Sequence, residues 1–407
     1  MRKIRRALIT GIIAGTVLFT VSGCSMFGGS DNNSTANETV EENDEENVQE
    51  AQKAAEPDKI SSLTFDKEVP VEKSSYFKID AYKDGYYVVK STDGKEWSQL
   101  LVVPEGKDVP EKLPKGMIVV RQPVVSSKID SITMASLLCE INSGLADKLT
   151  LVTSEKDDIS IDLIKSNMDK GITKYAGTAA KPDVDLIKKT APQVYLCKPA
   201  LEKNKAYEEL HKAGITPFIT YLHSEPDILG RIEWAKALGA IYGDIDGAQK
   251  FYDEQKALVE GIDKAKAGGK TFAMICLNKE KNKAYVRRTG DVIAKIGEAA
   301  GGTNKLSDNP KGFWQEMSID DFVTNYKDTD YLIYFDKHGD EVTSVKQLTD
   351  ISDKLAEFKS VKNGNVWRTR TDYLQMNKVG NMAKELNGIF AGDEETVKNA
   401  VEFVKVK

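Results

Sequence analysis

Arginines and aromatic residues gather at the ends of apolar runs in this 407-residue chain. Arg287 and Arg288 close "KAYVRR", Trp314 sits in "GFWQE", and Trp367, Arg368, Arg370 and Tyr373 fall together in "VWRTRTDYLQ". In the first half, Arg121 and Gln122 follow "MIVV", Lys198 follows "VYLC", and Tyr221 and His223 follow "PFIT". Guanidinium groups grip carboxylates and other anionic oxygens bidentately, while aromatic rings cover flat apolar faces. The chemistry offered is recognition at strand ends, where loops carry binding residues.

Alternatives attach to several of these residues. Adjacent strand residues point to opposite faces, so only one of Arg287 and Arg288 can face a given cleft, and the sequence does not say which. Trp367 follows Val366 at the start of a strand and equally suits a core position. Trp234, beside Arg231 and Glu233, fits packing better than ligand contact; Arg231 has Glu233 or another acid as an alternative partner, and Tyr285 has strand filling as its alternative. Bond-breaking chemistry finds no frame. Neither a Gly-x-Ser-x-Gly elbow nor a Gly-x-Gly-x-x-Gly turn occurs, and Lys264 stands where a phosphate loop ending in Gly269-Lys270-Thr271 needs its first glycine. Three histidines, at 211, 223 and 338, are too scattered to predict a metal cage. Cys139, Cys197 and Cys276 lie in apolar surroundings and read as buried thiols, with one disulfide left open. No resident cofactor is expected.

The elements that must carry these residues alternate. "SYFKIDAYKDGYYVVKSTDGKEWSQLLVVPEG" holds strand-like runs around Asp84-Gly85 and Asp93-Gly94, which predicts antiparallel hairpins. From "GMIVVRQPVV" onward, strand and helix patterns take turns through "SITMASLLCEINSG", "KLTLVTS", "DVDLIKKTAPQVYLC" and "AYEELHKAGITPFITYL". Such alternation predicts parallel strands with helical crossovers. Residues 226–267 then read as helix, with Ile232, Ala235, Leu238, Ile241 and Tyr242 on one stripe and a bend at Gly243-Asp244. "KTFAMICLN" restarts the alternation, which continues through "TDYLIYFD" and "GNVWRTR" to a helical end.

The first residues belong to none of this. Arg2, Lys3, Arg5 and Arg6 precede an apolar run from Ala7 to Phe19 that is short for a membrane span. Val21-Ser22-Gly23 before Cys24 resembles a lipobox, which implies diacylation of Cys24 and cleavage before it, leaving the chain anchored rather than spanning. Residues 25–57 hold nine acids against one lysine and predict a solvated, extended tether. Removing the leader's +4 and the tail's −8 from the net −6 leaves −2 for residues 58–407, which argues against nucleic acid as a partner.

This order of parts resembles the helical-backbone class of substrate-binding proteins of ABC transporters, which serves iron–siderophore, haem and cobalamin import. The local matches are "LLVVPEG", "GRIEWAKALGAIYG", "YVRRTGDVIAKIGEAAGG", "DYLIYFD" and "FKSVKNGNVWRT". The resemblance implies an α/β protein of two Rossmann-like lobes joined by a long interlobe helix, the class III periplasmic binding protein fold, to which the alternation in residues 58–115 adds a β-rich preface. Its divisions would be a lipoprotein signal peptide (1–23), lipidated Cys24 and an acidic tether (24–57), the preface (58–115), an N-terminal lobe (116–225), the interlobe helix (226–267) and a C-terminal lobe (268–407). It further implies a monomeric, non-enzymatic receptor on the outer face of the cell membrane. An iron complex, haem or corrinoid would bind between the lobes and pass to an ABC permease and its ATPase. By register, Asp185 and Asp321, with Asp320 one step away, would meet permease arginines where the family commonly has Glu. The competing readings are a lipid-anchored adhesion or interaction protein and a receptor for another small organic ligand.

Overall fold

The computed structural model describes residues 55–199, 204–306, 314–335, 340–370 and 377–407. Cys24, the leader, nearly all of the tether and Tyr373 therefore lie outside the described residues. Three sheets organise the rest.

The first runs β1 (Phe65–Val69), β2 (Phe77–Tyr82), β3 (Tyr87–Thr92), β4 (Trp97–Val103) and β5 (Ile118–Arg121). Its first four strands are antiparallel neighbours in chain order. Asp84 and Gly85 take φ of 64° and 84° and Gly94 takes 90°, left-handed conformations that tight turns between strands demand. Asp93 secures the second turn, its Oδ1 accepting from the N–H groups of Lys95 and Glu96 at 2.7 and 2.9 Å. The "MIVV" run joins this sheet as β5, parallel to β4 with Leu100 opposite Ile118. The expected lobe strand is thus the last strand of the preface instead.

The second sheet is all parallel: β6 (Ser127–Ile129), β7 (Leu149–Val152), β8 (Lys174–Tyr175), β9 (Val194–Cys197) and β10 (Phe218–Ile219), in the order β10-β9-β6-β7-β8. Helices α1 (Ile132–Ile141), α2 (Asp162–Asp169), α3 (Val184–Thr190) and α4 (Lys205–Lys212) make its crossovers. The order reverses between β6 and β9, and the loops leaving their carboxyl ends diverge there to open a crevice.

Helices α5 (Ile228–Tyr242) and α6 (Ile245–Glu260) follow. Asp227 starts α5 by accepting from Leu229 N–H at 2.7 Å, and Gly243, at φ 85°, stops it. Helix α6 then packs back on α5; a Cβ on Gly239 would lie 2.6 Å from that of Ala248, so only glycine allows the contact. The expected single spar is therefore α5 alone. All of α5 is buried, charged residues included, because β2 and β3 flank it along with α1, α7 (Val292–Ala299) and α11 (Val379–Ala391).

The third sheet is mixed. Parallel strands β11 (Thr271–Asn278), β15 (Tyr331–Tyr334) and β16 (Val366–Thr369) form its centre. Antiparallel β12 (Lys283–Arg287) and β14 (Trp314–Ser318) extend one side and β17 (Phe403–Lys405) the other, while β13 (Thr303–Asn304) joins the start of β11. Helices α8 (Ile319–Tyr326), α9 (Val345–Ile351), α10 (Lys359–Lys362) and α12 (Glu394–Asn399) complete it. Strands β14 and β17 were not legible in the sequence, being short and polar in part. The second and third sheets are separate, with one buried helix between them, which is the class III arrangement.

Candidate functional site

The crevice of the second sheet begins where β6 ends. Ser131 caps α1, its Oγ accepting from Met134 N–H at 3.2 Å, and the same Oγ lies 2.8 Å from Nε2 of His223, beyond β10. Two residues on, Thr133 receives Nη2 of Arg231 on its hydroxyl at 3.2 Å and Nδ2 of Asn377 on its carbonyl at 2.9 Å. One residue of α1 thus meets both the interlobe helix and the segment that leads into α11. Asn377 also donates to Ser136 Oγ, and Lys378 lies 3.4 Å from Glu140 at the far end of α1. Ser131, Thr133, Arg231 and Asn377 are buried; Lys198, Tyr221 and His223 are partly exposed. The ring of Tyr221 stacks on Tyr76 at 6.1 Å, so the preface forms part of this wall.

Beneath the β6 end, Lys128, Asp130 and Tyr195 form a buried network. Lys128 bonds Asp130 and donates to Tyr195 Oη at 2.9 Å, and Tyr195 donates to Asp130 Oδ2 at 3.1 Å. Burial, reinforced by the Asp130 charge, pushes the Tyr195 hydroxyl far above its ordinary range, so it stays a donor. A satisfied buried network of this kind rigidifies the backbone from which Ser131 projects.

In the C-terminal half, Arg287 is buried, bonded to Asp291 Oδ2 at 2.8 Å, with its guanidinium carbon 4.8 Å from the Phe335 ring centre. Arg288 is the partly exposed member of the pair. Trp314 pairs with Arg287 across the antiparallel β12–β14 ladder, and its ring lies 5.2 Å from that of Tyr285.

Other sequence candidates go elsewhere. Arg121 ends β5, exposed, with Nη1 on the carbonyl of Lys107 at 3.2 Å. Its own carbonyl accepts from Gln193, which stands before β9, at the end of the sheet opposite the crevice. Gln122 donates to the carbonyls of Ala240 and Ile241 at 3.0 and 3.2 Å, occupying the open end of α5. Trp367 is a core residue, 2% exposed, as its position after Val366 allowed. Arg368 is partly exposed, and Arg370 is exposed and turned to the carbonyl of Val401 at 2.6 Å. Asp185 and Asp321 are exposed in the first turns of α3 and α8; Asp320 is held by Lys354 at 2.9 Å. Sequence reasoning passed over Ser131, Thr133, Asp291 and Asn377. Only Ser131 carried a local signal, as a helix-capping residue directly after a strand.

The carboxylates on α5 and just before it hold the preface in place. Glu233 accepts from the N–H groups of Glu72, Lys73 and Ser74 at 2.8, 2.8 and 3.0 Å and from Lys236 at 2.8 Å. Lys236 also donates to Pro70 O at 2.8 Å. Glu225 accepts from Trp234 Nε1 at 2.9 Å and from Ser74 Oγ, and burial lifts its carboxyl to about 7. A carboxylate group of another kind, Glu56, Glu68 and Asp80, has metal-like spacing. Lys59, Lys78 and Lys90 already neutralise it, and bonds from Lys78 and Lys90 outweigh burial to hold Glu56 down at about 2. Among the described residues Cys139, Cys197 and Cys276 carry free thiols, and no helix is long and apolar enough to cross a membrane.

The family model for periplasmic binding protein matches residues 151–373, more than half of the chain. An uncharacterized lipoprotein of Methanocaldococcus jannaschii is 24% identical over 303 residues, 72% of this chain and 74% of that one. A petrobactin-binding protein from Bacillus subtilis superposes with a TM-score of 0.51 at 16% identity, covering 74% of this chain and 98% of the other. A periplasmic haem-binding protein from Pseudomonas aeruginosa gives a TM-score of 0.51 at 12% identity, covering 69% and 95%. The structural likeness is one of fold. The chain belongs to the periplasmic binding protein family, a family of solute-binding proteins.

Proposed function

We propose that this periplasmic binding protein is the receptor of an ABC importer, holding an iron complex (siderophore or haem) or a corrinoid between its lobes and handing it to the permease. One observation carries the reading: two separate Rossmann-like sheets flank a single buried helix. Lys198, Tyr221, His223 and Arg288, partly exposed residues at or just past strand ends, are the proposed contacts with the cargo. Cations and rings at such positions suit a small guest with anionic oxygens and apolar faces. The spine α5 is enclosed on all sides, so lobe closure is small and the pocket is largely formed beforehand. The names borne by the similar structures, petrobactin-binding and haem-binding, support the same cargo range.

Outside the cytoplasm, a diacyl group on Cys24 and the tether after it keep the receptor near its permease and raise its effective concentration there. The relative's name, lipoprotein, supports the anchor. Asp185 and Asp321, one on each lobe, are the proposed contacts with the permease. The test is thermal unfolding of residues 25–407 with a ferric siderophore, haem and a corrinoid. Stabilisation by one of the three is expected; none by any would refute the reading.

A further inference from the structure

The lobes meet a second time, away from the interlobe helix. Asn377, just before α11, is buried, and its Nδ2 donates to the Thr133 carbonyl at 2.9 Å and to Ser136 Oγ. A carbonyl can only accept, which fixes the end of the amide that faces α1. Lys378 follows with its ammonium 3.4 Å from Glu140. Thr133, Ser136 and Glu140 stand three and then four residues apart, so a single face of α1 receives the segment. On its other side the segment is tied to α6. Gln255 Oε1 accepts from the Gly380 and Asn381 N–H groups at 2.9 and 3.3 Å, and its Nε2 donates to Asn381 Oδ1 at 2.8 Å. A Cβ on Gly380 would lie 2.4 Å from the Gln255 carbonyl oxygen, a closeness that glycine alone permits. Helix α11 is fastened in turn to the third sheet, where Tyr331 Oη donates to the Ile389 carbonyl at 3.0 Å and Phe272 stacks on Phe390. Asn377 thus moves with the C-terminal lobe, and its amide crosses to the N-terminal one.

We propose that Asn377 is a latch between the lobes, released when they turn slightly apart at α1. Helix α5 sets the spacing of the lobes, but one helix is one axis, and rotation about it is stopped by contacts that lie off it. The seam on α6 is close-packed backbone. The seam on α1 is one amide and one ion pair partly open to water, and such a pair contributes little. The α1 seam is the one to part. Its closed form also carries a cost, because Asn377 Oδ1 is buried without a hydrogen-bond partner among the described residues. Parting from α1 lets water reach that oxygen and offsets some of the two bonds given up, which keeps the latched and open forms close in free energy. Thr133 lies two residues past Ser131, which meets His223 at the crevice, so opening here widens the entrance for a guest.

The test places nitroxide labels at Lys189→Cys on α3 and Asn325→Cys on α8, exposed positions of the two lobes, in residues 25–407. Cys197 and Cys276 are buried and burial lifts the Cys139 thiol to about 12, so label enters at the introduced sites. Double electron–electron resonance then reads the distance between the lobes without any guest. The otherwise unaltered chain should give one narrow distance. Asn377→Ala should move the ratio of latched to open molecules by about tenfold, seen as a second, longer distance. Ser136→Ala, which removes one of the two acceptors, should shift it the same way by less. An Asn377 with a packing role alone would lower the midpoint of urea unfolding and leave the distances as they were, and that outcome would overturn the inference. Should Asn377→Ala not fold by circular dichroism, Ser136→Ala decides in its place, and unchanged distances there overturn the latch. No guest enters the measurement, so failure here leaves the receptor reading standing, and failure of that reading leaves this result untouched.

Discussion

Replacing Glu225 with Gln should remove a pH dependence that the wild-type fold carries. The carboxyl is buried beside α5, and its Oε1 accepts from Trp234 and Ser74. Burial is the main cause of its rise from 4.5 to about 7, with the nearby Glu233 charge adding to it. Below pH 4.5 the group is protonated in the folded and unfolded chain alike, and its contribution is fully present. Between 4.5 and 7 the unfolded chain ionises while the folded one keeps its proton, so stability falls as pH rises. Above 7 the loss is complete, at about 3 kcal/mol given roughly 1.4 kcal/mol per tenfold change. Glutamine keeps an acceptor for Trp234 and does not titrate. Urea unfolding of both proteins from pH 4 to 8 isolates the effect, because carboxylates such as Glu56 cancel in the difference. The wild-type value minus the Gln value should decline by about 3 kcal/mol across that range. Parallel profiles would refute the assignment of a raised carboxyl to this site.

Glu233→Gln should be costlier, because it leaves Lys236 buried without its counter-charge; a loss of about 3–5 kcal/mol in urea unfolding is expected, and under 1 kcal/mol would contradict the clamp. Arg287→Ala, which strips the neighbour that Asp291 and Phe335 hold, should weaken cargo binding at least tenfold by titration, and unchanged affinity would remove it from the site. Asp185→Arg with Asp321→Arg should abolish cargo uptake by cells yet leave binding by the purified protein intact, and normal uptake would exclude these residues from docking. Cys24→Ala should release the protein from membranes into the medium on fractionation and end incorporation of labelled palmitate; retention of label would place the lipid elsewhere.

Local chemistry was legible from sequence alone. The Asp84-Gly85 and Asp93-Gly94 turns, the apolar runs of β9, β11 and β15 and the stop at Gly243 depend on residues within a few positions of one another. Their physics is complete in the sequence window that contains them. The alternation of strand and helix carried the two-lobed class with it, because parallel strands need crossovers. Position along a strand did not tell which sheet a strand joins. Thus Arg121 lies on the preface, and Arg287 spends its guanidinium on Asp291 and Phe335.

What only the tertiary structure decided is which distant groups satisfy one another. Glu233 closes on backbone from Glu72 to Ser74, about 160 residues earlier, and Asn377 reaches Thr133 across 244. A buried carboxylate or amide takes whatever donors the folded chain brings within 3 Å, and no periodicity records that choice. The sequence determined the lobes, the turns and the helix stops by itself. Packing decided how the preface is locked to the interlobe helix, because burying a charge there required partners that only the folded chain could supply.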